Sequence, residues 1–343
     1  MPTKTIKKLS TLLEQGLIQA ADLPALQQVV DRFDLSITDT MHALIDNNND
    51  QDPIKRQFVP SMQELIIQEQ ELDDPIGDSA HEAVKGIIHR YPDRCLFMPV
   101  QVCAVYCRFC FRREQVGGAQ NTLTKDEQNT AFHYIESHPE IWEVILTGGD
   151  PLILKPSILQ TILQRLNAIS HVEVIRIHTR IPVVDPARIT KDLQNAFSID
   201  KALYVAIHAN HANEFSPAAV AAIKKLVNVG IPLISQTTLL KGINDDIHSL
   251  TDLMRTFVKN KIKPYYLHHA DLAKGTSHFR TTIQEGQALV RQLRGRVSGL
   301  CQPIYVLDIP GGFGKVPIGP HYIHADDHQC CIEDYEGVMH AYE

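Results

Sequence analysis

Six short, nearly unbroken apolar runs constrain this chain more than any other feature. They are RCLFMPV (94–100), EVILTGG (143–149), EVIRIHTR (173–180), LYVAIHA (203–209), IPLISQTT (231–238) and KPYYLHH (263–269). Runs of this length, rich in β-branched residues and without in–out alternation, predict parallel strands covered on both faces. Between and after them lie amphipathic stretches with three- and four-residue apolar spacing, such as PSILQTILQRLNAI, PAAVAAIKKLVNVG and IHSLTDLMRTFVKN. Those predict helices. Six strand–helix units leave two architectures open, a doubly wound sheet or an incomplete (β/α) barrel. In either one, chemistry belongs at the C-terminal strand ends.

Residues 1–75 read as an N-terminal helical region, from TIKKLSTLLEQGLI and LPALQQVVDRF to a short helix over PSMQELIIQEQEL. The strand–helix pattern occupies 76–300. The remainder, 301–343, holds one more strand-like run, QPIYVLDIPGGFGK, and a polar tail. The formal net charge of −7 gives no electrostatic reason to expect nucleic acid or an anionic membrane as partner. No apolar run reaches the roughly 20 residues of a membrane span, and the start lacks a secretory h-region, so a cytoplasmic location is expected.

The chain has seven cysteines, an odd number that argues against a disulfide framework. Three of them, Cys103, Cys107 and Cys110, form one C-x3-C-x2-C group directly after the first strand. A closed zinc site needs four ligands, and no second group is spaced to complete one. Three thiolates from one loop instead suit a four-iron cluster with one iron left open. Lys315 stands in GGFGKVP, where Gly311, Gly312 and Gly314 allow close backbone approach around an amine. A phosphate-binding loop of the G-x4-G-K-[ST] type fails, because position 309 is Ile and Val316 follows the lysine.

The three-cysteine spacing resembles that of the radical S-adenosylmethionine (SAM) enzymes. Further motifs are similar, in order, to the lysine 2,3-aminomutase family: HRYPDR, CRFCFRR, TGGDPL, RIHTRIPVV, HANHANE, LLKGIND, KPYYLHHADL, HFRT and DIPGGFGKVPI. The resemblance covers about residues 75–325 and implies an incomplete (β/α)6 barrel. It implies a 4Fe–4S cluster on Cys103, Cys107 and Cys110, with SAM on its open iron near Phe109, Gly148, Gly149, Asp150 and His208. It also implies pyridoxal 5′-phosphate linked to Lys315, with Arg90 and Arg94 toward the phosphate. His178, Thr179 and Gln236 are weaker candidates of the same kind as His208.

On the substrate side the resemblance assigns Arg112 to the α-carboxylate. A planar guanidinium grips a carboxylate in bidentate fashion. It assigns Asp271 and Asp308 to a side-chain ammonium. A neutral or acidic side chain would leave that pair of carboxylates unmatched. The implied reaction moves the amino group of L-lysine from C2 to C3 to give β-lysine. The same chemistry on arginine or glutamate, and β-lysine supply for elongation factor P, are the alternatives. An iron–sulfur protein without turnover is the rival from another class. A one-electron reductase of flavodoxin or ferredoxin type and a homodimer are expected. No zinc is expected, because Asp246 stands where zinc-binding members carry a cysteine, and Cys330 and Cys331 have no companions.

Overall fold

The six runs become parallel strands, and a seventh joins them. The structure, a computed structural model, describes residues 5–117, 122–325 and 329–342. An antiparallel pair, β1 (Glu82–Val84) and β2 (Ile87–Tyr91), leads into β3 (Arg94–Val100). Then follow β4 (Glu143–Gly148), β5 (Val174–Thr179), β6 (Ala202–His208), β7 (Leu233–Leu239), β8 (Ile262–His269) and β9 (Ile304–Ile309). From β3 to β9 every neighbouring pair is parallel. A last strand, β10 (Gly314–Pro317), returns antiparallel to β9 and pairs Lys315 with Asp308 in register.

Strand order decides between the two architectures. All ten strands of the sheet lie beside their sequence neighbours. A doubly wound sheet would reverse direction at a switch point, and none occurs. The sheet winds one way and stays open, as an incomplete barrel does. Side chains span the gap: His81 Nε2 lies 2.9 Å from the Gly312 carbonyl, and Lys315 N–H donates to the Tyr91 hydroxyl at 2.7 Å. Gly77 packs against the backbone of Gly311 and Gly312, where any Cβ would overlap main-chain atoms.

Helices α1 (Lys125–Glu136), α2 (Pro156–Ala168), α3 (Lys191–Ala196), α4 (Pro217–Asn228), α5 (Ile247–Lys259) and α6 (Ile283–Leu293) follow the strands as predicted. Each buries its apolar stripe on the sheet, as α2 does with Leu159, Ile162, Leu163 and Leu166. Asp246 is spent on capping α5, accepting from the main-chain N–H groups of His248 and Ser249.

One expectation differs from the structure. The helix over PSMQELIIQEQEL shrinks to one 3-10 turn, Met62–Leu65. Glu64 turns inward to buried arginines, and Ile66 and Ile67 are left on the surface without a core face to extend a helix. After residue 300, β9 and β10 complete the main sheet. The polar tail forms an antiparallel sheet of Ile323–Ala325, Cys330–Glu333 and Met339–Ala341. No helix among the described residues is long and apolar enough to cross a membrane.

Candidate active site

The C-terminal strand ends surround a cavity of ≈550 Å³. Its wall includes Cys103, Cys107, Phe109, Cys110, Arg112, Gly148, Gly149, Asp150, His208, Asp271, Asp308 and Lys315, together with Arg90 and Arg94. Every residue expected at the site from sequence therefore borders one space.

The cysteine loop is fastened from the N-terminal region. Tyr106 N–H donates to Ser36 O at 2.8 Å, and Arg108 N–H to Gln57 O at 2.9 Å. Glu64, fully buried, receives the guanidinium of Arg108 at 2.6 Å and also that of Arg113. Charge on this carboxylate is costly to bury, yet the two arginines more than compensate and hold its pKa below the ordinary value. Arg113 has a structural role, donating also to the Gly275 carbonyl.

Burial raises the pKa of all three thiols: the Asp150 charge and the neighbouring sulfurs add to it at Cys103, Cys107 adds to it at Cys110, which is pushed up to about 11, and Arg180 partly offsets it at Cys107. A cation at their centre would reverse that balance, since it binds the thiolate form. Three such thiols in one loop, facing a cavity, form a donor set that fits a cluster with an open position. Gly148 has φ +104°, and Gly149 approaches Val102 so closely that a Cβ would overlap its main chain. The TGG turn thus packs tightly against the chain leading into the cysteine loop, and both glycines border the cavity. The Asp150 carboxylate, on the cavity wall, accepts from Thr179 Oγ1, from the main-chain N–H groups of Arg180 and Ile181, and from Leu152 N–H. Phe109 packs edge-on to His208, whose Nε2 meets Asn210 Oδ1 at 3.2 Å. Burial and the Arg180 charge push the His208 pKa down to about 3, so it is neutral.

Across the cavity, Lys315 Nζ is ion-paired to Asp308 and lies 3.3 Å from His268 Nδ1. Burial alone would raise the Asp308 pKa. The neighbouring His268 and the Lys315 charge outweigh it and hold this carboxyl well below the usual range. Asp271 has no hydrogen-bonding partner on its carboxylate among the described residues, and burial and the Asp308 charge push its pKa up to about 7. Arg112 is clamped by Asp78, with Nε at 2.8 Å and Nη2 at 2.7 Å. The same Asp78 accepts from Arg90 at 3.1 Å. Arg94 stacks 3.9 Å over the Tyr91 ring and pairs with Asp93 at 2.6 Å. Arg90 Nε and His178 Nε2 are buried without a hydrogen-bond partner among the described residues, which fits a cavity built to take a polar ligand. Gln236 lies 3.4 Å from His268.

The chain matches the family model for the radical SAM superfamily over residues 98–254 and that for lysine-2,3-aminomutase over 290–343. L-lysine 2,3-aminomutase of Methanococcus maripaludis is 40% identical over 319 residues, covering 92% of this chain and 74% of that protein. The chain belongs to the lysine 2,3-aminomutase family of radical SAM enzymes. It is thus an enzyme of the isomerase class whose superfamily uses a 4Fe–4S cluster and SAM. L-lysine 2,3-aminomutase of Clostridium subterminale is 37% identical, covering 92% and 77% of the two chains. The family also includes glutamate 2,3-aminomutase of Clostridioides difficile, 35% identical over 93% of this chain and 74% of that one.

Sequence reasoning missed the residues that organise this aminomutase-family site: Gln57, Glu64, Asp78, Arg180, Glu214 and His268. Each acts through a partner distant in sequence, and although Arg180, Glu214 and His268 lie inside quoted motifs, nothing local marks their partners.

Proposed function

We propose that this enzyme moves the α-amino group of L-lysine from C2 to C3, with Cys103, Cys107 and Cys110 as cluster ligands and pyridoxal phosphate held at Lys315. When bound, SAM on the open iron would supply a hydrogen-abstracting radical, and pyridoxal phosphate would supply the imine chemistry that lets nitrogen migrate. The chain's own residues bind, orient and exclude water.

The observation that carries the lysine reading is the pair Asp271 and Asp308, two carboxylates on one cavity wall beside Lys315. Asp308 is paired with Lys315 in the ligand-free protein, whereas Asp271 has no such partner, and a side-chain ammonium offsets the cost of charging this second buried carboxylate. An acidic side chain would add a third negative charge, which disfavours glutamate. A longer cation such as arginine is the second reading, because the same pair would attract it. Arg112, fixed in place by Asp78, is positioned for the substrate carboxylate, and its remaining N–H groups supply the hydrogen bonds. The tight TGG turn supports contact between backbone and the SAM methionine, with Phe109 and neutral His208 lining that end. Arg90 and Arg94 supply positive charge toward the phosphate. A separate reductase of flavodoxin or ferredoxin type delivers the electron, and the enzyme works as a homodimer in the cytoplasm. Zinc has no part, since adjacent residues such as Cys330 and Cys331 point to opposite faces of their strand.

The test is anaerobic reconstitution with iron, sulfide, SAM, pyridoxal phosphate and reductant, followed by separate assays with L-lysine, L-arginine and L-glutamate. Formation of β-lysine, with no product from glutamate, supports the reading. Turnover of glutamate alone would overturn it.

A further inference from the structure

The guanidinium of Arg180 is an expensive group to bury, and the structure spends it beside a cluster cysteine. Arg180 sits just past β5 and is almost wholly enclosed. One nitrogen, Nη2, donates to Glu214 Oε2 at 2.7 Å and to Gln57 Oε1 at 2.5 Å. The other, Nη1, donates to Cys107 Sγ at 2.8 Å. Glu214 is in turn held by the main-chain N–H groups of Asn210 and His211 and by Gln57 Nε2. The Arg180 main chain is pinned as well, with its N–H on Asp150 at 2.7 Å.

Neutralising the guanidinium requires only Glu214, whose carboxylate already forms the ion pair. The second nitrogen is aimed at one sulfur of the cysteine loop, from a side chain held by Glu214 and Gln57 and a main chain held by Asp150. A charged N–H directed at a ligating thiolate draws electron density from it and stabilises the more negative, reduced state of the metal centre. Glu214 opposes this through its own charge. We propose that Arg180 is a positioning residue that raises the reduction potential of the cluster through Cys107, and that Glu214 tempers it. Gln57 ties the setting to the N-terminal region. This rests on the reading of Cys103, Cys107 and Cys110 as cluster ligands. The electron itself comes from the reductase and resides on the cluster, with no bond made or broken at Arg180.

The test is a redox titration of the cluster-loaded full chain, followed by electron paramagnetic resonance, for the wild type, Arg180→Met, Arg180→Lys and Glu214→Gln. Wild-type protein with no 4Fe–4S signal would sink the cluster reading itself, which separates that failure from this one. With the signal present, Arg180→Met is expected to shift the midpoint to more negative potential and Glu214→Gln to less negative potential. Arg180→Lys should fall between wild type and Arg180→Met. Removing Arg180 leaves Glu214 buried without its cation, so Arg180→Met can lose its cluster altogether. Glu214→Gln then decides alone, because it keeps the arginine and nearly the same shape. An unshifted midpoint in Glu214→Gln, or shifts of the same sign in Glu214→Gln and Arg180→Met, overturns the proposal, since a purely structural role changes cluster content without changing potential.

Discussion

The main-chain N–H of Lys315 donates to the phenolic oxygen of Tyr91 at 2.7 Å, across 224 residues of sequence. Tyr91 ends the second strand of the sheet and Lys315 lies on the last, so this bond bridges an opening that no strand pairing closes. It also fixes the backbone of the residue proposed to carry pyridoxal phosphate. Tyr91→Phe removes the acceptor and should cost about 1 kcal/mol of stability. Titration with pyridoxal phosphate should show weaker binding, seen in the absorbance of the bound form. Unchanged binding would mean that the bridge does not position the lysine.

Lys315→Ala should abolish that absorbance outright. It should also strip Asp308 of its cation, so that its carboxyl moves up toward the ordinary range. NMR titration of the carboxyl signals checks this second effect independently of the cofactor.

Asp271, pushed up to about 7 by burial and by Asp308, is uncharged below that pH in the ligand-free protein and charged above it. A cationic substrate favours the charged form. Affinity for lysine should therefore rise as pH increases through about 7 and then level off, and binding below that pH should release a proton. Lys315, Arg112 and Asp78 share this space and act on the same group. Asp271→Asn should erase the pH dependence and weaken lysine binding by about 2–5 kcal/mol, the cost of leaving a buried charge unpaired. Calorimetry in two buffers of different ionisation heat measures both.

Glu64 holds Arg108 and Arg113 beneath the cysteine loop. Its folded-state pKa lies below the ordinary glutamate value, so its contribution is present above that value and is lost as pH falls through the lowered folded one. Glu64→Ala leaves two buried arginines without their carboxylate, at about 3–5 kcal/mol. Denaturation as a function of pH should show a smaller acid-limb loss in Glu64→Gln than in wild type. Iron content after reconstitution should drop in both variants.

How much of this was legible in the sequence depends on how local each signal is. The cysteine triplet, the TGG turn and the glycine-flanked Lys315 are contiguous patterns, and all of them border one cavity. The strands could be read because parallel burial leaves unbroken apolar runs. The clamps were not legible: Glu64 meets Arg108 across 44 residues, Arg180 meets Gln57 across 123, and Asp78 meets Arg112 across 34. A charged residue carries no mark of whether it faces water or a buried partner, so such pairs emerge only with the fold. The missing helix over PSMQELIIQEQEL has the same cause, because its spacing suits a helix but its acidic residue is needed elsewhere.

The most direct measurement follows nitrogen. L-lysine labelled with 15N at the α-amino group and 13C at C3 is incubated anaerobically with the fully reconstituted enzyme, and the product is examined by NMR. Coupling between 15N and 13C at C3 is the expected result, since the migrating amino group stays within the substrate. A label that remains on C2, or that is released as ammonium, would contradict the assignment of this cavity to intramolecular amino transfer on lysine.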